Sequence, residues 1–269
     1  MLNPDTRVAV CCYSGDGHQV VEALEFYLHH ECPLTVLSPA DSKVDVNYPG
    51  VTNVFAGKAA YIGPDSFDRE MLHLAALLQY PENHFLIHDA DSIMLDPKIP
   101  DYLYAEPDMV WSNQVTDAIP EHQSFFPEGW PHVAFQPPYF LSRRTIEAML
   151  AVKDDPRVIR DHPCMPFIDF YMVQLTIVAG LPWRRLMDCI SCPISIDLRK
   201  VNPPEADLVT YDMGMKIASN AVLREGTSVL HSVKNSVAIR TLAGLRQQYL
   251  ANHPDAQPKF FPAPTIGRG

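Results

Sequence analysis

The stretch HFLIHDADSIML, His84 to Leu95, decides how this chain is read. An apolar run, Phe85 to Ile87, stops at two aspartates one residue apart, Asp89 and Asp91, and apolar residues then resume. A short apolar run with polar ends is the pattern of a strand buried on both faces, as in a parallel sheet. Ligands of open α/β sheets bind beyond the carboxyl ends of such strands. Two carboxylates there repel each other unless a cation lies beside them. In an extended backbone their i, i+2 spacing sends both side chains to one side. A hard divalent cation with oxygen ligands, Mg²⁺ or Mn²⁺, fits such a pair and commonly binds substrate phosphates as well. A solvated strand-to-loop corner is the other reading of the same residues.

Upstream, RVAVCCYSG (residues 7–15) is a continuous apolar run ended by glycine, which predicts a buried parallel strand. DGHQVVEALEFYLHH follows with Val20, Val21, Leu24, Tyr27 and Leu28 at helical spacing and Asp16 as N-cap. PLTVLSPAD predicts a second strand. After a short irregular segment, DSFDREMLHLAALLQY predicts a helix opened by Asp65 or Ser66, with Phe67, Met71, Leu74, Leu77 and Leu78 on one face. This alternation predicts an α/β fold with an open, mostly parallel twisted sheet flanked by helices. Downstream, PDMVWSN predicts a strand, and residues 114–137, rich in Pro, His and aromatics, predict a long functional loop. YFLS then leads into the helix RRTIEAMLAV with Ser142 as its N-cap. FIDFYMVQLTIVAG is an apolar helix stopped by Gly180, and a last helix is expected around residues 236–250. With no repeat and no flexible linker, the 269 residues predict one domain. It divides into halves at about 1–112 and about 113–250, with 251–269 as a Pro-rich tail.

Composition sets the surroundings. An apolar content of 47% without a spanning run predicts a soluble globular protein. No basic segment leading into an apolar one opens the chain, so no secretory signal is expected. Six cysteines, two of them adjacent (Cys11 and Cys12), suit reduced thiols in the cytoplasm better than a disulfide framework. Cys189-x-x-Cys192 is half of a structural zinc motif with no second pair after it. The net charge of −11 is uneven: residues 1–141 carry 5 Lys/Arg and 20 Asp/Glu, residues 142–269 carry 16 and 12. Halves so charged can face different partners, although chance drift of surface charge gives the same pattern.

The order of these features resembles the metal-dependent GT-A-fold glycosyltransferases. An N-terminal α/β half, LIHDADSIML at a strand end, a later FIDFYMV helix and a terminal His-x-x-Lys, HSVK (His231 to Lys234), carry the resemblance over roughly residues 7–235. It implies that Asp89, Asp91 and His231 hold Mn²⁺ or Mg²⁺, which bridges the two phosphates of a nucleotide-sugar donor. UDP is the nucleotide expected, on family frequency alone. Lys234 would add a point charge to the phosphates, and Arg69 would face the diphosphate or sit as a surface helix charge. Tyr13 and Gly15, in YSGDGH, would lie close to the ribose or base, the glycine allowing near approach. Asp41 would accept a hydrogen bond from base or ribose, or only solvate its loop.

Asp169 stands where the family carries an acidic residue that binds the acceptor hydroxyl and takes its proton. It can equally be a helix N-cap. Family members often have Glu-Asp here, whereas this chain has Ile168-Asp169, which leaves the identity of the base open. Trp130, Trp183 and Tyr139 are candidate aromatic platforms. Arg143-Arg144, Arg184-Arg185 and Arg199-Lys200 suggest an anionic acceptor, with hydroxymethylated bases in DNA as one class. Three other functions remain in competition. DADSI also resembles the nucleophile motif of haloacid-dehalogenase-like phosphatases. A nucleotidyltransferase that forms sugar nucleotides would share the fold, and a non-catalytic nucleotide- or metal-binding module would share the site.

Overall fold

The computed structural model describes residues 3–12, 20, 33–94, 99–118, 120–164, 166–186, 191–196, 229–233 and 236–253. The run through His84 to Asp89 is a strand, β4, and its position organises the molecule. It lies in a seven-stranded sheet of order β3-β2-β1-β4-β7-β6-β8. The first three strands are β1 (Thr6–Cys11), β2 (Leu34–Ser38) and β3 (Val51–Phe55). They join β4 in a parallel block, with β1 pairing to both β2 and β4. The far side holds β6 (Val110–Asp117), β7 (Val133–Ser142) and β8 (Trp183–Arg185), with β7 antiparallel to both β4 and β6. β8 returns parallel to β6, so the sheet is mixed but mostly parallel. A second sheet of three strands runs β5 (Ile93–Met94), β10 (Val229–Val233), β9 (Ser191–Ile196).

Helix α1 (Gly63–Leu77) buries two stripes. Phe67, Met71 and Leu74 form the apolar one and join the core with Phe85, Ile87, Phe135 and Leu141. Ser66, Arg69, Glu70 and His73 form a polar one, also buried. A polar stripe taken out of water is costly unless hydrogen-bonded or used. Helix α1 begins at Gly63 after Ile62, with Pro64 in its first turn and no side-chain cap, so the cap expected at Asp65 or Ser66 is not formed. Proline suits that first turn because its missing N–H would have no helical partner there. The short helices α2 (Asp101–Tyr104) and α3 (Pro120–Gln123) follow. Helix α4 (Arg143–Ala151) has the predicted cap, Ser142 accepting from Thr145 N at 3.0 Å. Helix α5 (Ile168–Val178) is buried almost all round and ends before Gly180, whose φ of +67° suits a residue without Cβ. Helix α6 (Ser236–Asn252) closes the described chain.

Two expectations need correction. The irregular segment before α1 contains β3, an edge strand whose residues are only partly buried and so lack an apolar run. The long loop at 114–137 is largely a hairpin, since Gln114 to Asp117 pair with Gln136 to Val133. Its prolines hid the strand. Pro137 and Pro138 fall where the β6–β7 register shifts between Ser112 and Gln114, and beyond the β4 pairing, which stops at Tyr139. Strands tolerate proline where a ladder hydrogen bond is already interrupted. The helix read at residues 16–30 lies outside the described residues apart from Val20.

Gly57 holds the loop before α1 against the helix. Its φ is +70°, and a Cβ there would lie 2.6 Å from Arg69 Cα. Gly57→Ala is therefore expected to destabilise the protein by about 2–4 kcal/mol, from left-handed backbone strain plus overpacking. Urea denaturation measures it; a loss under ~0.5 kcal/mol would show that the loop repacks freely.

Candidate functional site

The carboxyl ends of β1 and β4 meet in register, Cys11 beside Asp89. Ala90 N donates to Cys11 O at 3.0 Å, and Ser92 N donates to Asp89 O at 3.0 Å. The second bond closes a tight turn over residues 89–92. The backbone between the two aspartates is therefore bent, and the extended-strand argument for their shared direction does not hold. Asp89 is half-buried and Asp91 is buried at 8% exposure. The turn feeds β5, and β5 pairs antiparallel with β10, Ile93 opposite Leu230. His231 is the next residue along β10, so its backbone runs beside the turn that carries Asp91. A chain separation of 140 residues is closed by that one ladder. The His231 side chain, like Lys234, Tyr13 and Gly15, lies outside the described residues.

Two helices face this end of the sheet. Gly63 N donates to Pro166 O at 3.0 Å and Ile62 bridges Phe167, so α1 and α5 start side by side. The rings of Phe67 and Tyr171 pack 5.0 Å apart between them. Asp169, in the first turn of α5, is half-buried and adjoins Glu70 of α1. Burial foremost, with the neighbouring Glu70 carboxylate adding, pushes the Asp169 carboxyl up to about 7. A hydrogen bond with Tyr139 pulls the other way. The Tyr139 hydroxyl lies 2.8 Å from Phe135 O as well, so its single proton has two acceptors in reach, that carbonyl and the Asp169 carboxylate. Burial likewise raises the Glu70 carboxyl, while Arg69 lowers it. His73 is driven down to about 4 by burial and then by Arg69, so its imidazole is neutral.

Among the described residues, one trio of potential metal donors has mutually close ligand atoms: Cys11, Glu70 and His73, all buried, within 4.8 Å of one another. The sequence singled out none of the three. The signal was present, because Phe67, Glu70, Leu74 and Leu77 share one helical face, which puts a carboxylate in a row of core positions. Cys11 was passed over as one more apolar residue of its strand.

Arg69 is 1% exposed and donates to Ala60 O, so it is a buried charge and not a surface one. Asp41 is exposed and accepts from Ala59 N at 2.7 Å, which is a loop-bracing role. Tyr139 is core, Trp130 packs against the core, and Trp183 leans on Phe135 at 5.4 Å with 37% exposure. Three arginines of the described basic pairs have defined partners. Arg143 donates to the carbonyls of Leu78, Tyr80 and Glu82, Arg144 pairs with Asp108 at 2.7 Å, and Arg184 with Glu106 at 3.0 Å. Arg144 and Arg184 are thus paired with carboxylates of the acidic half. Arg199 and Lys200 lie outside the described residues.

A hard divalent cation is compatible with the donors at this end of the sheet, two carboxylates on a tight turn beside a histidine-bearing strand. No helix among the described residues is long and apolar enough to cross a membrane. No protein-family model matches the sequence, and no curated protein does. Among solved structures, the chain is similar to 4-diphosphocytidyl-2C-methyl-D-erythritol synthase at 12% identity. That match covers 77% of this chain and 99% of the other, with a TM-score of 0.37. The chain is a mixed α/β protein, its seven-stranded sheet flanked by helices, with acidic residues gathered at the carboxyl ends of β1 and β4.

Proposed function

We propose that this chain is a divalent-cation-dependent glycosyltransferase of the GT-A type, moving a sugar from a nucleoside diphosphate, UDP by family frequency, to a hydroxyl acceptor. The pairing of β5 with β10 is the observation that carries it: two segments far apart in sequence, each bearing residues of the expected cation site, run side by side. Asp89, Asp91 and His231 would hold the cation. Bound there, Mg²⁺ or Mn²⁺ supplies Lewis-acid stabilisation of the charge that develops on the leaving diphosphate.

The chain's own residues do the rest. Asp169 accepts the acceptor's hydroxyl proton as the acceptor oxygen bonds to the anomeric carbon. The bond from that carbon to the diphosphate breaks, and its electron pair leaves with the diphosphate. A base works best with a pKa near the operating pH, and burial beside Glu70 has brought Asp169 there. Tyr139 orients that carboxyl. Arg69 acts from behind the site as a fixed positive charge. Lys234, Tyr13 and Gly15 keep their proposed roles at the phosphates and nucleoside, and Asp41 braces the adjoining loop. An uncharged hydroxyl acceptor suits the committed arginines better than nucleic acid does.

The phosphatase alternative expects its aspartates at the end of the first core strand, whereas here that strand ends in Cys11 and the aspartates follow β4. A thermal-shift panel of nucleotide sugars with and without Mn²⁺ tests the proposal. A true donor at a hundredfold excess over its dissociation constant is expected to stabilise by about 2.7 kcal/mol, in a cation-dependent manner. A panel with no cation-dependent shift overturns the reading. Pyrophosphate release from a nucleoside triphosphate and a sugar phosphate would reassign the site to nucleotidyl transfer.

A further inference from the structure

We infer that Cys11, Glu70 and His73 form a second cation site, selective for a borderline metal such as Zn²⁺, behind the aspartate turn. The inference does not rest on the transferase reading. A thiol, a carboxylate and an imidazole come within 4.8 Å of one another, each on a residue no more than 5% exposed. Glu70 and His73 are one helical turn apart on α1, and Cys11 is the last residue of β1. The donors are therefore presented by rigid elements, as a preorganised site requires.

Their chemistry selects the ion. Thiolate and imidazole nitrogen favour Zn²⁺, whereas Mg²⁺ and Mn²⁺ prefer all-oxygen sets like the aspartates nearby. A second observation points the same way. His73 Nδ1 is buried without a hydrogen bond of normal geometry, and the ring's contacts are with backbone: Nε2 lies 3.4 Å from Ser38 O, and Ala56 also hydrogen-bonds the imidazole. Ser66 Oγ, on the same buried stripe, is also without a partner. Buried polar atoms left so require an explanation, and beside a thiol and a carboxylate an ion supplies one. The neutral imidazole is already the ligating form. Binding would expel the Cys11 thiol proton, and that of Glu70 when it carries one, to solvent. Because Asp89 is the register neighbour of Cys11, the two cation sites would share the end of the β1–β4 pair.

Cobalt reports the thiolate directly. The full chain, stripped with chelator and titrated with Co²⁺, is expected to show a sulfur-to-cobalt charge-transfer band that Zn²⁺ abolishes at one equivalent. Cys11→Ser is expected to lose the band and to weaken Zn²⁺ by about 100-fold or more, since even outer-shell partners of a metal cost 10–100-fold. Cys189→Ser/Cys192→Ser and Asp91→Asn are expected to keep it, which separates this site from the other cysteine pair and from the proposed donor cation. Absence of a band in the wild-type chain overturns the inference. So does a band that survives in Cys11→Ser or disappears in the Cys189/Cys192 variant. Far-ultraviolet circular dichroism is recorded for each variant, only a variant that keeps the wild-type spectrum is scored, and absence of the band in the wild type overturns the inference whatever the variants do.

Discussion

Asp91→Asn is expected to lower sugar transfer by about 10²–10³-fold while leaving the fold unchanged. The estimate is the cost of removing one preorganised group that stabilises charge in a transition state. Asparagine keeps the volume of a residue buried at 8% exposure, so packing around the turn has no reason to change. What it removes is one negative charge from a site proposed to hold a divalent cation against a diphosphate. Two readouts must move together. Turnover falls, and the Mn²⁺-dependent stabilisation by nucleotide sugar disappears, while near-ultraviolet circular dichroism stays that of the wild type. Retention of both turnover and the Mn²⁺ effect would remove Asp91 from the cation site, and with it the main support for transfer from a nucleotide sugar.

Asp169→Asn is expected to pull activity and stability in opposite directions. As the base, Asp169 is worth about 10²–10⁴ in rate, and asparagine cannot take a proton. Stability follows from the sign of its shift. The folded-state value, about 7, lies above the ordinary 3.8, so between these values the folded protein holds a proton that the unfolded chain has released. Stability from this group therefore falls as pH rises from about 4 through about 7, and the penalty is complete above that. Asparagine carries no such penalty. The variant is expected to gain on the order of 2–3 kcal/mol relative to wild type at pH 8, with the gain shrinking towards zero near pH 4, after trimming the linkage for the residue's partial exposure. Denaturant unfolding at several pH values measures it. A gain that does not vary with pH would mean that Asp169 is ionised freely in the folded protein. In the wild type, the transfer rate is expected to rise with pH through a limb near 7, which the variant lacks.

The Asp169 prediction places function against stability within a few residues. Ser66, Arg69, Glu70 and His73 are buried on α1, and Asp169 sits beside them, in a region that an apolar core would fill at lower cost. Natural proteins keep such groups where the chemistry uses them.

Much of this arrangement was legible from local pattern. The run Phe85 to Ile87 gave a central strand, the spacing Phe67, Met71, Leu74 gave α1, and Ser142 gave a cap, because each depends only on neighbours within a few residues. The strand end at Asp89 followed from the same logic. Other elements were hidden for definite reasons. β3 is an edge strand without an apolar run, and the β6–β7 hairpin carries prolines at a register shift. The bend between Asp89 and Asp91 depends on the hydrogen bond that Ser92 returns to Asp89, which residue spacing does not encode.

By itself the sequence set Asp89, Asp91 and Asp169 in apolar surroundings, since period and composition are local properties, but it did not single out Glu70 or His73. Only the tertiary structure decided which of those charges meet. Sheet pairing set Cys11 against Asp89 and β10 against β5, and the joined starts of α1 and α5 brought Asp169 to Glu70. Contacts of that kind depend on how separate elements dock, and docking is fixed by burial summed over the whole core.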